Sequence, residues 1–336
     1  MSDLAAETAA LRTGAGAFAS PRDVISVQGA DAESYLQGQL SQDIVALAVG
    51  ESADSLLLQP DGKLAALLRV TRTDAQGFVL DVDGGFGDAV AARLRKFLLR
   101  TKAELSVLPW RCLSLRGAAV HDQAAGLLTA LGEAGVLALP FEWGGWRGID
   151  LLGPRDLVLD PTAGSLPVGV VAVGRDAVEG CRIASGIPAM GAELTDKTIA
   201  AEADLVERTV SFTKGCYTGQ ELVARLDSRG SNVARRLVGV VAPGGVDDVP
   251  PLWFGMTLHA AEAPEGDDVA TDKVVGTITS AAWSAELGLW VALAYLHRSI
   301  EDSGPVRVRS GDGVGDAWPA ELRPLPLVTI SSAPES

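Results

Sequence analysis

Apolar positions in the first third of the chain fall into short blocks of two different periods. Residues 4–11 repeat Ala and Leu at helical spacing, whereas Val24, Ile25 and Val27 make a strand-like run that stops at Gly29-Ala30-Asp31. Asp31 supplies an N-cap for a helix through Val45, with Tyr35, Leu36, Leu40 and Ile44 as its apolar stripe. Gly38, between Gln37 and Gln39, marks a close approach, of a ligand or of another backbone. Ser55–Gln59 and Leu64–Val70 read as strands joined across Pro60-Asp61-Gly62-Lys63, a hairpin turn. Phe78–Val82 gives a third strand, and Asp88–Thr101 a helix with Val90, Leu94, Phe97 and Leu98 inward. Further on, Gly144–Gly148 and Gly164-Ser165 mark loops and Ala177–Ile183 is helical. Leu205, Val210 and Phe212 read as a strand breaking into a turn at Lys214-Gly215, after which Leu222, Val223 and Leu226 recur at helical spacing until Gly230.

Beyond about residue 236 the texture changes to strands and turns. Leu237–Val241, Val274–Thr279 and Leu289–Leu296 are strands, a loop runs from Pro243 to Pro251, and Ser331–Ser336 reads as a frayed tail. Strands alternating with single helices and hairpins, without a regular βαβ repeat, place the chain in the α+β class with a separate barrel or sandwich at its end.

Length and charge narrow the function. At 336 residues the chain holds two or three domains, at about 150 residues each. A formal net charge of -15 argues against general grip on a phosphate backbone, so any nucleic-acid role has to be local. The segment from Arg93 to Lys102 carries Arg93, Arg95, Lys96, Arg100 and Lys102 with no acid, either a solvated face or a patch for an anionic partner. Cysteines at 112, 181 and 216 have neither paired nor C-x-x-C spacing, so no disulfide framework and no resident metal site is expected, as suits a reducing cytoplasm. No signal peptide and no apolar run of spanning length is readable, so no membrane association is expected, and neither a G-x-G-x-x-G nor a Walker A fingerprint occurs.

The densest chemistry lies in Lys214-Gly215-Cys216-Tyr217-Thr218-Gly219-Gln220-Glu221. Thr218 and Glu221 are spaced as a capping box, which puts Cys216 just outside a helix start. With Lys214 adding a cation, these are conditions that bring a thiol pKa from about 8.5 toward about 3.5–7.5. The alternative is a buried, inert cysteine, the reading that suits Cys112 and Cys181 in their apolar segments.

That octapeptide resembles the K-G-C-Y-x-G-Q-E signature of the YgfZ family, folate-binding proteins linked to the maintenance of iron–sulfur enzymes. The likeness extends through Val27–Asp31 with Leu36–Leu40, Arg93–Arg100, Arg182-Ile183 with Gly186-Ile187-Pro188, and Val275–Ser280. More distantly the chain resembles the aminomethyltransferase (T-protein) of glycine cleavage. The resemblance implies a ring of two interleaved α+β subdomains and a C-terminal β-barrel around a central cavity. On this chain that divides as 1–50 with 150–235 for the folate-binding subdomain carrying the signature loop, 51–149 for an inserted subdomain, 236–330 for the barrel, and 331–336 for a flexible tail.

The same resemblance implies tetrahydrofolate or a derivative as cofactor, polyglutamylated forms included. Glu202 would meet the pterin, Arg235 or Arg236 the glutamyl tail, and Gln220 and Glu221 belong to the cofactor side of the loop. Lys214, Arg225, Arg229, Arg235 and Arg236 would form a positive mouth. In the aminomethyltransferase an acidic pair follows the first hairpin turn; here Ala65 and Ala66 stand in its place, and a methyl group can accept no proton. The expected function is therefore an accessory protein in iron–sulfur cluster assembly or repair, with Cys216 as transient thiol, Lys214 as its neighbour, and iron–sulfur client or assembly proteins as partners. A folate-dependent one-carbon transferase or demethylase, and a folate-responsive binding scaffold, are the alternatives.

Overall fold

The computed structural model describes residues 2–162, 166–228, 232–243, 252–261, 273–310 and 317–328. After helix α1 (Ser2–Arg12), strand β1 (Ala15–Ser20) and strand β2 (Arg22–Gln28) follow one another across Pro21. Helix α2 (Ala32–Gln39), the hairpin β3 (Ser52–Leu58) and β4 (Leu64–Asp74), β5 (Gly77–Asp83), helix α3 (Gly87–Arg95) and β6 (Glu104–Leu108) come next, and β7 (Trp110–Arg116) follows across Pro109. Two helices, α4 (Val120–Gln123) and α5 (Ala125–Glu133), lead to β8 (Leu137–Trp143), β9 (Trp146–Pro154) and β10 (Val170–Ala172). Helices α6 (Arg175–Ala184), α7 (Val206–Thr209) and α8 (Gln220–Asp227) precede the all-β part: β11 (Arg235–Ala242), β12 (Thr257–Ala260), β13 (Val274–Ser284), β14 (Leu289–His297), β15 (Gly304–Arg309) and β16 (Trp318–Arg323).

These strands form two five-stranded sheets and a closed barrel. The first sheet has the order β10-β1-β7-β9-β8, the second β3-β4-β5-β2-β6, and the barrel β11-β14-β13-β12-β15-β16. One antiparallel ribbon runs through both sheets. It pairs Gly16 with Arg116 and Ser20 with Cys112 in the first sheet, then Val24 with Leu108 and Gln28 with Glu104 in the second, in unbroken register. Pro21 and Pro109 sit at the passage between sheets, where a residue without an N–H interrupts the ladder at no cost in lost bonds. The cores follow from this division. α2 and α3 cover the second sheet, α4 and α5 the first, and the barrel is filled by its own Val, Leu, Ile and Ala side chains.

Between the two sheets lies an ionic chain. Asp81 accepts from Arg22 Nε at 2.8 Å and from Arg69 Nε at 2.9 Å; Asp150 accepts from Arg69 Nη1 at 2.8 Å, Arg116 Nη2 at 2.7 Å and the Ser114 hydroxyl at 2.6 Å. Arg116 also stacks 3.7 Å from the Phe141 ring centroid. Burial raises the Asp150 carboxyl, but Arg116, Arg69 and the Ser114 bond outweigh it and hold the group well below the usual carboxylate range.

The helix expected from Asp31 to Val45 ends at Gln39, because Leu40 turns to extended backbone and bridges to Leu57. Asp31 accepts the Lys102 backbone N–H instead of capping its own helix. The helix expected to reach Thr101 ends at Arg95, and Phe97, expected inward, is 46% exposed under the Arg93 guanidinium. Leu205–Phe212 forms no strand: Val206–Thr209 is helical, with Leu205 and Val210 buried and Phe212 exposed. Residues 164–165, 244–251 and 331–336, expected as loops and tail, lie outside the described residues. Among the described residues no helix is long and apolar enough to cross a membrane.

Removing one partner from a buried ion pair leaves a charge without compensation, so Asp150→Asn is expected to cost about 3–5 kcal/mol at pH 7 in denaturant titrations. The sign with pH is fixed by the depressed carboxyl: its contribution is present above the unfolded value near ~3.9 and is lost as pH falls toward the folded value. The gap between wild type and variant should therefore narrow below about pH 4. A gap of constant size would remove Asp150 ionisation from the account.

Candidate functional site

A cavity of about 690 Å³ opens between the β8–β9 turn of the first sheet, the segment around Glu202 and the start of the barrel. Trp143 and Gly144 from the β8–β9 turn, Ser185-Gly186 after α6, Glu202–Asp204, Arg235 and Arg236 on β11, and Arg298 and Asp302 after β14 are among the residues that line it. The turn needs glycine at 144: φ is +54°, and a Cβ would run into the Ser185 carbonyl, so the wall closes only because no side chain is present.

Glu202 sits on a short 3-10 helix, Ala200–Ala203, entered through Ile199. Ile199 bridges to Lys63 and Thr198 O accepts the Leu64 N–H at 2.9 Å, so this helix is pinned to the β3–β4 hairpin. The Glu202 carboxylate is buried; Oε2 accepts from Ile199 N at 3.3 Å and from Arg235 Nη2 at 3.1 Å, leaving Oε1 without a partner among the described residues. Arg235 lies 4.0 Å over the Tyr295 ring, and Tyr295 donates its hydroxyl to Glu193 O at 3.0 Å. Arg236 is tied differently, donating to the carbonyls of Ile300 and Arg298, with Asp302 at 3.9 Å. The cavity thus offers one buried carboxylate with an open acceptor, an arginine braced on an aromatic ring, and a second arginine on β11 tied to the carbonyls of the loop after β14, which itself brings Arg298 to the wall.

The 214–221 loop is elsewhere on the hairpin. Gly219, with φ +82°, is the residue before α8, and a Cβ there would strike Gln59 O and Leu58, so the loop lies directly against the β3–β4 turn. The expected capping box of Thr218 and Glu221 is not formed; the left-handed Gly219 occupies the N-cap and no side chain caps the helix. Lys214 Nζ lies 2.7 Å from each of the carbonyl oxygens of Gln37, Leu40 and Gln42. Burial lowers its pKa to about 8, against the opposing pull of Asp43, which leaves it charged at neutral pH. An ammonium has three N–H donors, and all are engaged, so none is left for the Cys216 sulfur.

Comparison with known proteins identifies the family and the fold. Residues 235–328 match the family model for the glycine cleavage T-protein C-terminal barrel domain. A tRNA-modifying protein YgfZ of Vibrio vulnificus is 31% identical over 66% of this chain and 68% of its own length, and one of Klebsiella pneumoniae is 26% identical over 90% and 89%. The chain belongs to the YgfZ family. The crystal structure of glycine cleavage system aminomethyltransferase T from Bartonella henselae, 22% identical, superposes with a TM-score of 0.76 over 97% of this chain and 89% of that one, and so shares the YgfZ chain's fold.

The YgfZ residues singled out from sequence separate into two groups. Glu202, Arg235 and Arg236 come together in the cavity. Lys214, Cys216, Gln220 and Glu221 do not line it: Cys216 and Glu221 are exposed, and Gln220 folds back to accept the Tyr217 N–H at 3.2 Å. Of the expected positive mouth, Arg225 is exposed outside the cavity and Arg229 lies outside the described residues. Ala65 is half-buried and Ala66 buried against the second sheet's core. Sequence reading missed Trp143, Tyr295 and Arg298, whose only signal was an aromatic or basic residue at a strand end.

Cys112 and Cys181 are buried, and burial pushes their thiols up, to about 12 and about 11. Native protein treated with iodoacetamide at pH 8 is expected to gain one adduct, at Cys216, by peptide mass spectrometry; the other two thiols should react only after unfolding. Native modification of Cys112 or Cys181 would contradict the burial described.

Proposed function

We propose that this YgfZ-family chain binds a reduced folate, tetrahydrofolate or a derivative, in the 690 Å³ cavity, and serves as an accessory protein in iron–sulfur cluster assembly or repair. The observation that carries the reading is the buried Glu202 carboxylate, which keeps Oε1 open beside Arg235. A pterin presents adjacent N–H donors that a carboxylate accepts, and its glutamyl tail presents carboxylates that guanidinium groups bind in a fork. The volume falls in the range that encloses ligands of this size. Glu202 would hold the pterin, with Arg235 beside it and Arg236 and Arg298 toward the tail; the bound group would supply reduced one-carbon or redox chemistry.

Ala65 and Ala66 speak against aminomethyl transfer, since neither can move a proton or hold charge near the folate. Cys216, exposed on the loop across the hairpin, is the thiol a client could reach. A single exposed cysteine suits a transient bond to iron or to a client sulfur better than a four-ligand resident site. The relatives' printed role in tRNA modification accords with a net charge of -15 if the chain serves a modifying enzyme instead of gripping tRNA itself.

Calorimetric titration with tetrahydrofolate tests the first half. Binding is expected, and Glu202→Gln should weaken it by about 1–3 kcal/mol, the scale of a hydrogen bond to a charged group. Equal affinity in the variant would take Glu202 out of the site. Incubation with tetrahydrofolate and an aminomethylated carrier protein should give no turnover, and robust product would restore the transferase alternative.

A further inference from the structure

The Lys214 ammonium is spent on backbone carbonyls, and those carbonyls have a common origin. Gln37 lies in the last turn of α2, and its carbonyl has lost its helical partner because the Ser41 N–H donates to Leu56 O at 3.1 Å. Leu40 and Gln42 follow in the segment that leaves the helix, at the negative end of its dipole. The loop that carries Lys214 is tied at its two ends to the same segment: Ser211 N–H to Ser41 O and Thr218 N–H to Gly38 O, each at 3.1 Å. Between those ties, from residue 212 to 216, the Lys214 side chain makes the only bonds to another segment among the described residues. Phe212, Thr213, Gly215 and Cys216 stand exposed around it.

We propose that Lys214 is a positioning residue, a built-in cation that occupies a carbonyl cage at the end of α2 and thereby fixes the loop presenting Cys216. Three acceptors converging on one nitrogen match the ammonium, whose three donors radiate from a single atom. They do not match a guanidinium, whose donors lie in one plane and are spread across a fork. The role differs from that of a neighbouring charge that acidifies the thiol, which any cation at position 214 could fill. The inference draws on the proposed role of Cys216 for its purpose, but the cage exists or fails independently of it.

Fragment-resolved hydrogen exchange of residues 211–218 in the full chain separates the two roles. Lys214→Ala should exchange faster in this fragment by about tenfold or more, since a net charged hydrogen bond of about 1.5 kcal/mol corresponds to such a factor. Lys214→Arg should show the same loss although the charge is kept, and n-butylammonium should restore protection to Lys214→Ala but not to Lys214→Arg. Wild-type protection in Lys214→Arg, or unchanged exchange in Lys214→Ala, would overturn the proposal. Should the variants fail to fold, reductive methylation of the wild type gives the same answer: Lys214 should be modified far more slowly in the native protein than in the urea-unfolded protein, and equal rates count against a cage. Tetrahydrofolate binding and the cellular effect of Cys216→Ser are unaffected by any of these results, so a failed cage leaves the proposed function standing, and the reverse.

Discussion

The alternating chain Arg22–Asp81–Arg69–Asp150–Arg116 is the interaction on which the arrangement depends. Arg22, Arg69 and Asp81 belong to the second sheet, Asp150 and Arg116 to the first, and the single link Arg69–Asp150 spans the two. Desolvating these groups costs several kcal/mol per ion, and their mutual attraction offsets that only when every member is paired. A sliding of one sheet on the other would leave at least one buried charge unmatched. The network therefore specifies one relative placement of the sheets more than it adds net stability, and the ribbon through Pro21 and Pro109 lets both sheets share that placement covalently.

Fixing the sheets also fixes the β3–β4 hairpin, and the hairpin is where the two candidate regions meet. Its Lys63 end bridges to Ile199 and so holds the helix that presents Glu202. Its turn abuts Gly219 and so seats the loop that presents Cys216. The cavity carboxylate and the exposed thiol are separate in space yet rest on one turn of Pro60-Asp61-Gly62-Lys63. This gives a physical meaning to their occurrence in one stretch of sequence: residues 199–221 wrap around a common support, not around a common pocket.

The pairing of Glu202 with Arg235 also follows from magnitudes. A carboxylate this buried is costly alone, and the Ile199 N–H with the Arg235 guanidinium compensates it through Oε2 while Oε1 keeps its capacity. Arg235 in turn is held over Tyr295. The proposed site is thus preorganised, since Glu202 and Arg235 are already held in place before any ligand enters.

Much of this was readable in order along the chain. The hairpin at Pro60–Lys63, the strands at 24–27, 237–241, 274–279 and 289–296, and the change to β structure near 236 were carried by local period and turn chemistry, which act over a few residues and need no partner. The signature loop stood out by residue type, whereas Glu202 was singled out through the resemblance to the YgfZ family. Where the two diverge, a distant contact decided: Leu40 left its helix to bridge Leu57, and Phe97 turned outward beneath Arg93. Lys214, read as a neighbour of the thiol, went to three carbonyls more than 170 positions away in sequence. The ionic chain between the sheets was invisible for the same reason. Arg69, Asp81, Arg116 and Asp150 each look like an isolated charge in an apolar strand, and only when the sheets face each other does every charge find its opposite. Local sequence determined the elements, because propensity and period are short-range; tertiary structure alone decided which polar groups pair, because satisfying a buried charge depends on what lies across from it in space.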